Sequence, residues 1–127
     1  MHLHFEFADS EVAQCVWQER DLHVRFAAAQ LQPSDAREAE RVWAPMVMVL
    51  HGVHAWEVVD TSACIGRLNQ GVVLHASQRL QRLPVPCHLQ GVVTLELDFA
   101  QAGLVHVRCA DLSLLPVESE VVSAYQC

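Results

Sequence analysis

The sequence predicts an all-β chain, or a β-dominated one with a single short helix, folded as an antiparallel sandwich or a partly closed barrel of about nine short strands. Three observations carry that prediction. Apolar and polar residues alternate strictly between Gly91 and Leu114, turn-forming residues recur at short intervals, and one stretch only is rich in helix formers. The 127 residues suit one domain, because a chain of this length buries most of its apolar surface without staples.

The Gly91–Leu114 stretch is the clearest element. Val93, Leu95, Leu97 and Phe99 alternate with Thr94, Glu96 and Asp98, and Val105, Val107 and Cys109 alternate with His106 and Arg108. Period 2 is the mark of a half-buried strand. A Gln101-Ala102-Gly103 loop with Gly103 at positive φ would pair Phe99 with Val105, Leu97 with Val107 and Leu95 with Cys109. That register also sets Asp98 against His106 and Glu96 against Arg108, a favourable charge pairing.

Taken in order, Leu3, Phe5 and Phe7 face inward from a first strand that Asp9-Ser10 punctuates. Val12 to Trp17 reads as a second strand. Gln18-Glu19-Arg20-Asp21 is a hairpin loop to a third, placing Trp17 and Cys15 across from Leu22 and Val24. Residues 34–44 break the alternation. Asp35 and Glu38 have the form of a capping box for a short helix over 36–43, ended by Pro45 and pinned by Trp43; a charged loop is the competing reading. Met46 to Leu50 is a buried strand, His51-Gly52-Val53-His54 a turn or bulge, and Trp56 to Val59 a further strand. Asn69-Gln70-Gly71 reads as a second glycine-closed hairpin loop. Gln78 to Leu83 is a weak strand, and Leu83-Pro84-Val85-Pro86 is extended but barred from a sheet centre. Leu112 to Pro116 and Glu118 to Tyr125 supply a last strand or a docked tail.

Composition narrows the function classes. The formal charge is −7, and all eight basic residues are arginine, dispersed along the chain. Without a basic cluster there is no electrostatic footprint for nucleic acid or an anionic membrane. No apolar run reaches the roughly 18–20 residues of a membrane helix, and the first residues do not read as a signal peptide. Five cysteines, an odd number without Cys-x-x-Cys, fit a reducing cytoplasm. Protonating all eight histidines would move the charge from −7 to about +1, so solubility should fall near pH 5.5.

Three constellations bear on chemistry. His51-x-x-His54-x-x-Glu57 offers imidazole and carboxylate donors suited to a transition metal such as zinc, although no third strong ligand follows at a diagnostic spacing. His2, His4, Glu6, His23, Arg25, Asp98 and His106 occupy the outward positions of their strands. The His-x-His pair with its nearby glutamate is similar to the ligand chemistry of cupin-type barrels. In that family the ligands point into the barrel from a glycine-flanked motif; here they point away from the core and no such motif surrounds them. Arg37-x-x-x-Arg41 followed by Asp60-Thr61-Ser62-Ala63-Cys64-Ile65-Gly66 resembles the Arg-x-x-x-Arg and Asp/Asn-x-Ser-x-x-Gly elements of PilZ domains, small barrels that bind cyclic dinucleotides. The serine-to-glycine spacing is one residue longer than theirs, and the acidic neighbours of the arginines would repel phosphate.

No Gly-rich phosphate loop, nucleophile elbow or Cys-His-Asp arrangement is present. The reading is therefore a non-catalytic cytoplasmic binding or assembly module of unknown ligand, without a cofactor, leaning away from an enzyme. Trp43 and Trp56 are its candidate interface anchors, and a homodimer is expected because small β domains must cover their sheet edges. The alternative is a metal-binding or metal-dependent small-molecule enzyme using a subset of the histidines, His51, His54 and Glu57 first.

Overall fold

A computed structural model gives the fold of residues 3–33, 41–57, 64–101 and 103–117. These form nine strands: β1 (Leu3–Gln18), β2 (Asp21–Pro33), β3 (Val42–His51), β4 (Ala55–Glu57), β5 (Gly66–His75), β6 (Gln78–Leu80), β7 (Arg82–Val85), β8 (Cys87–Phe99) and β9 (Gly103–Pro116). All pairings are antiparallel. Neighbours run β5-β8-β9-β3-β2-β1, and β1 returns to β5 through Glu11 opposite Arg67 and Val12 opposite Gly66. The fold is thus a closed six-stranded barrel, with β6 added to β5, β7 to β1 and β4 to β9.

Inward residues of every barrel strand fill the interior. Phe5 packs edge-on against Phe7 and Phe26, with ring centroids 4.8 and 5.1 Å apart. Leu22, Val24, Met46, Met48, Leu50, Leu68, Val73, Leu95, Leu97, Phe99, Val107, Leu112 and Leu114 complete the same cluster. Alternation dictates this arrangement, because each strand has one apolar face and closure leaves one interior to receive it.

Bulges make closure possible, and two of them replace expected turns. Asp9-Ser10 does not end a strand; it is a bulge within β1, with Asp9 at φ 64°. Buried Ser10 donates through Oγ to the Glu6 carbonyl at 2.7 Å and accepts the Gln30 N–H at 2.8 Å, while Gln30 Nε2 donates to the Ala8 carbonyl at 2.5 Å. Before the bulge the free edge of β1 pairs with β7, from Leu3 opposite Val85 to Glu6 opposite Arg82. After it, the same edge pairs with β5. Bending at a bulge lets one strand serve two partners. Likewise Asn69-Gln70-Gly71 is no hairpin loop but an irregularity within β5. Gly71 is needed there because a Cβ would sit 2.6 Å from the Phe7 ring.

The two long hairpins differ in how closely they follow expectation. In β1–β2, Trp17 faces Leu22 and Cys15 faces Val24 as the sequence predicts, but the loop is the two residues Glu19-Arg20, because Gln18 and Asp21, expected in the loop, pair with each other. In β8–β9 the apolar faces and the positive φ of Gly103 (88°) hold, but the register slides by two. Phe99 pairs with Gly103, Leu97 with Val105, Leu95 with Val107, Glu96 with His106, and Asp98 with Leu104. A two-residue slip leaves every side chain on its own face, so the hydrophobic pattern does not distinguish the registers.

The helix expected at 36–43 meets β3 at its end: Val42 and Trp43 are strand residues, and Gln30 pairs with Trp43. Residues 34–40, which hold Asp35, Glu38 and Arg37, lie outside the described residues. So do His2, Asp60-Thr61-Ser62-Ala63 of the PilZ-like stretch, and the segment from Glu118 onward. The proline stretch is an edge strand, as its missing donors require: β7 pairs only with β1. Among the described residues no helix is long and apolar enough to cross a membrane.

Candidate functional site

Polar side chains gather in two places on the outside of the barrel. The first is a groove over β5. Gly71 and Val73 point inward, so Gln70 and Val72 point out. Val72 is buried yet belongs to no part of the barrel core; it forms the groove floor. Glu96 and Asp98 of β8 stand opposite Val72 and Gln70, and Leu104 of β9 follows opposite Asp98. The far wall is Arg79 of β6, which pairs with Leu74, and then Gln81 and Arg82. A shallow cavity of about 70 Å³ between Arg79, Glu96 and Asp98 adjoins one of about 270 Å³ reaching Glu6, Asn69 and Arg82. Gln70, Gly71 and Gln81 line both.

Among the described residues one pair in this groove is closed. Arg82 Nε lies 2.5 Å from Glu6 Oε1. The side chains of Asn69, Gln70, Arg79, Gln81, Glu96 and Asp98 make no hydrogen bond or ion pair among the described residues. Two carboxylates, one guanidinium and three carboxamides therefore face the groove unengaged.

The second place is the outer face where β2, β3 and β9 meet. His51 Nδ1 lies 3.5 Å from Asp21 Oδ2, and its Nε2 lies 3.3 Å from Ser113 Oγ. Asp21 Oδ1 also accepts the Gly52 N–H at 3.0 Å. That hydrogen bond comes first in holding the Asp21 carboxyl below its ordinary range, ahead of the charge and hydrogen bond of His51 and the charge of His23, while partial desolvation opposes them. The order carboxylate, imidazole, hydroxyl is that of an activated nucleophile. The surrounding backbone lacks the other half of such a site. Ser113 sits mid-strand, paired with Val49 on one side and His88 on the other. Strand amides lie in the plane of the sheet, whereas Oγ projects from it, so the described strands around Ser113 aim no pair of backbone N–H groups at an oxyanion above it. This chain of bonds instead fastens the β1–β2 turn to the end of β3, beside the Val53 N–H that donates to the Arg20 carbonyl at 2.9 Å.

The two histidines expected to bind metal, His51 and His54, have separate partners. His51 is engaged as above. His54 is exposed, with Nδ1 3.4 Å from the Gly52 carbonyl and its backbone N–H on the Arg108 carbonyl. Glu57 of β4 pairs with His106. His75 Nε2 meets the Gln90 carbonyl at 2.7 Å, which makes it the protonated ring nitrogen, since a carbonyl only accepts. Among the described residues no group of three or more His, Cys, Asp or Glu converges as a metal site. The outward set of the sequence is dispersed too: Glu6 lies with Arg82 beside β7, His23 pairs with Val49, and His106 stands opposite Glu96.

Burial raises three of the described thiols, Cys15, Cys87 and Cys109. Cys15, Cys64, Cys87 and Cys109 form no disulfide with one another. Burial, aided by Cys64, pushes the Cys15 thiol up to about 12, and burial, aided by Asp111, pushes Cys109 to about 11. Neither supplies a thiolate nucleophile near neutrality. The candidate anchors stand apart: Trp43 is 51% exposed at the start of β3, while half-buried Trp56 lies beyond its far end, edge-on to Trp17 at 5.4 Å. The length of β3 puts them roughly 25 Å apart. No protein family, curated protein or solved structure matches this chain.

Sequence reasoning missed both polar sites. Asp21, His51 and Ser113 are joined only by the strand order β2-β3-β9, and the groove draws on six strands. The one local signal was the glycine at 71, which marks a close backbone approach as often as a turn.

Proposed function

We propose that this chain is a binding module and that a small polar ligand occupies the groove over β5. One observation carries the reading: six polar side chains of both charge signs line a single depression and are not spent on one another. Ligand sites place a few convergent polar groups over an apolar floor, here Val72. The thiols raised by burial and the lack, among the described residues, of backbone donors over Ser113 support binding over catalysis.

The proposal includes a reducing, cytoplasmic setting, in keeping with the four described cysteines, which form no disulfide with one another. It also includes a homodimer, for which exposed Trp43 and its neighbour Val42 offer apolar surface. Sedimentation as a monomer at micromolar concentration would remove the homodimer alone.

Native mass spectrometry with a mixture of free amino acids, hexoses and nucleosides tests the groove. An adduct should form on the wild-type protein and fall by about tenfold or more in Gln81→Trp, which plugs the junction of the two cavities. Gln81 is exposed, so the substitution leaves the core intact. No adduct, or one indifferent to Gln81→Trp, overturns the reading.

A further inference from the structure

We infer that the ligand of this groove is a small zwitterion, a free α-amino acid with a polar side chain; the inference rests on the groove being a binding site. Glu96 and Asp98 are two residues apart on one strand, so both carboxylates project over the same face. Among the described residues neither has an ion-pairing partner. The strand neighbours of Asp98 are Gln70 and Leu104, and those of Glu96 are Val72 and His106. Arg79 faces them from two strands away without closing an ion pair to either. The acids and the arginine thus line one cavity without being bridged to each other in the structure.

A molecule with an ammonium at one end and a carboxylate at the other bridges the acids and the arginine. The ammonium relieves the repulsion between Glu96 and Asp98, and the planar guanidinium of Arg79 takes a carboxylate through two parallel hydrogen bonds. Gln70 and Gln81, with Asn69 beyond, offer paired donors and acceptors to a polar side chain reaching into the larger cavity. Other ligand classes match less of the site. An inorganic anion meets two carboxylates beside its one arginine. A polyamine leaves Arg79 facing like charge. A sugar ring finds no aromatic platform among the lining residues. Because the charges are open to water, binding should be weak and should weaken further with salt.

The probe is L-glutamine, followed by backbone amide shifts of the full-length protein. N-acetyl-L-glutamine lacks the ammonium, 4-aminobutanamide lacks the carboxylate, and glucose serves as a neutral polyol. L-Glutamine should shift the amides of Gly71, Val72, Glu96 and Asp98, with both truncated analogues about tenfold weaker or worse. The double variant E96Q/D98N should erase the preference over N-acetyl-L-glutamine, and Arg79→Gln the preference over 4-aminobutanamide. Equal binding of either analogue, or preferences untouched by these variants, overturns the zwitterion. Glucose shifts that Gln81→Trp removes, without any from L-glutamine, would sink the zwitterion and leave the groove as a binding site. No shift from any of the four compounds would count against both.

Discussion

Where β2, β3 and β9 meet, Asp21, His51, Ser113 and the Gly52 amide answer one another; across the barrel, over β5, the polar side chains answer almost nothing among the described residues. Both regions lie on the outside of one closed sheet, and both look alike in sequence, as polar residues alternating with apolar ones. The first set closes on itself, and the second is the one proposed to take a ligand. Polar groups that satisfy each other contribute to the fold, and those left open over an apolar floor are free to meet a ligand. The contrast makes opposite predictions for substitutions in the two regions.

The largest effect should come from beneath the groove. Gly71→Ala drives a methyl group to 2.6 Å from the buried Phe7 ring, so it should destabilise by about 3 kcal/mol, measured by denaturant unfolding. Ser10→Ala, at the bulge that turns β1 toward β5, should cost about 1–3 kcal/mol because it strands the buried Gln30 N–H. Wild-type stability in either variant would show that closure does not depend on these two contacts.

How legible each region was follows from the range of the interactions that define it. The β1–β2 hairpin is local: alternation and the polar stretch Gln18–Asp21 fix its register within a few residues, and the structure keeps the facing pairs while narrowing the loop to Glu19-Arg20. Bulges are not local. Asp9-Ser10 and Asn69-Gln70-Gly71 carry the same punctuation as turns, and only distant Gln30 and Phe7 make them bulges. The β8–β9 slip shows a different limit, since a shift by two residues preserves both faces and only the loop, closed at Gly103, selects the register. Neither polar site was readable, because each needs the strand order that closure imposes. The histidine spacing at 51 and 54 suggested one cluster, yet the turn at Gly52 sends His51 to Asp21 and leaves His54 exposed.

Asp21→Asn tests the bonded region. The folded state holds the Asp21 carboxyl below its ordinary 3.8, so its contribution is fully present above that value and is lost as pH falls through the lowered one. At pH 6 the variant should be less stable by about 0.5–1 kcal/mol, a modest figure because the pair is 40% exposed on each side. Chemical denaturation should show the gap between wild type and variant closing at the acid end. A gap independent of pH would detach Asp21 from the account.

The smallest change in stability should come from the open region. Glu96→Gln and Asp98→Asn should each move the unfolding free energy by no more than about 0.5 kcal/mol, since neither carboxylate is paired. A loss comparable to that of Ser10→Ala would mean that these groups hold the fold after all.

The most direct measurement is the location of bound L-glutamine, mapped amide by amide on the labelled protein. The account predicts shifts at Gly71, Val72, Glu96 and Asp98, with Asp21, His51 and Ser113 unmoved. Shifts confined to the His51 face, or spread evenly over the barrel, would contradict it.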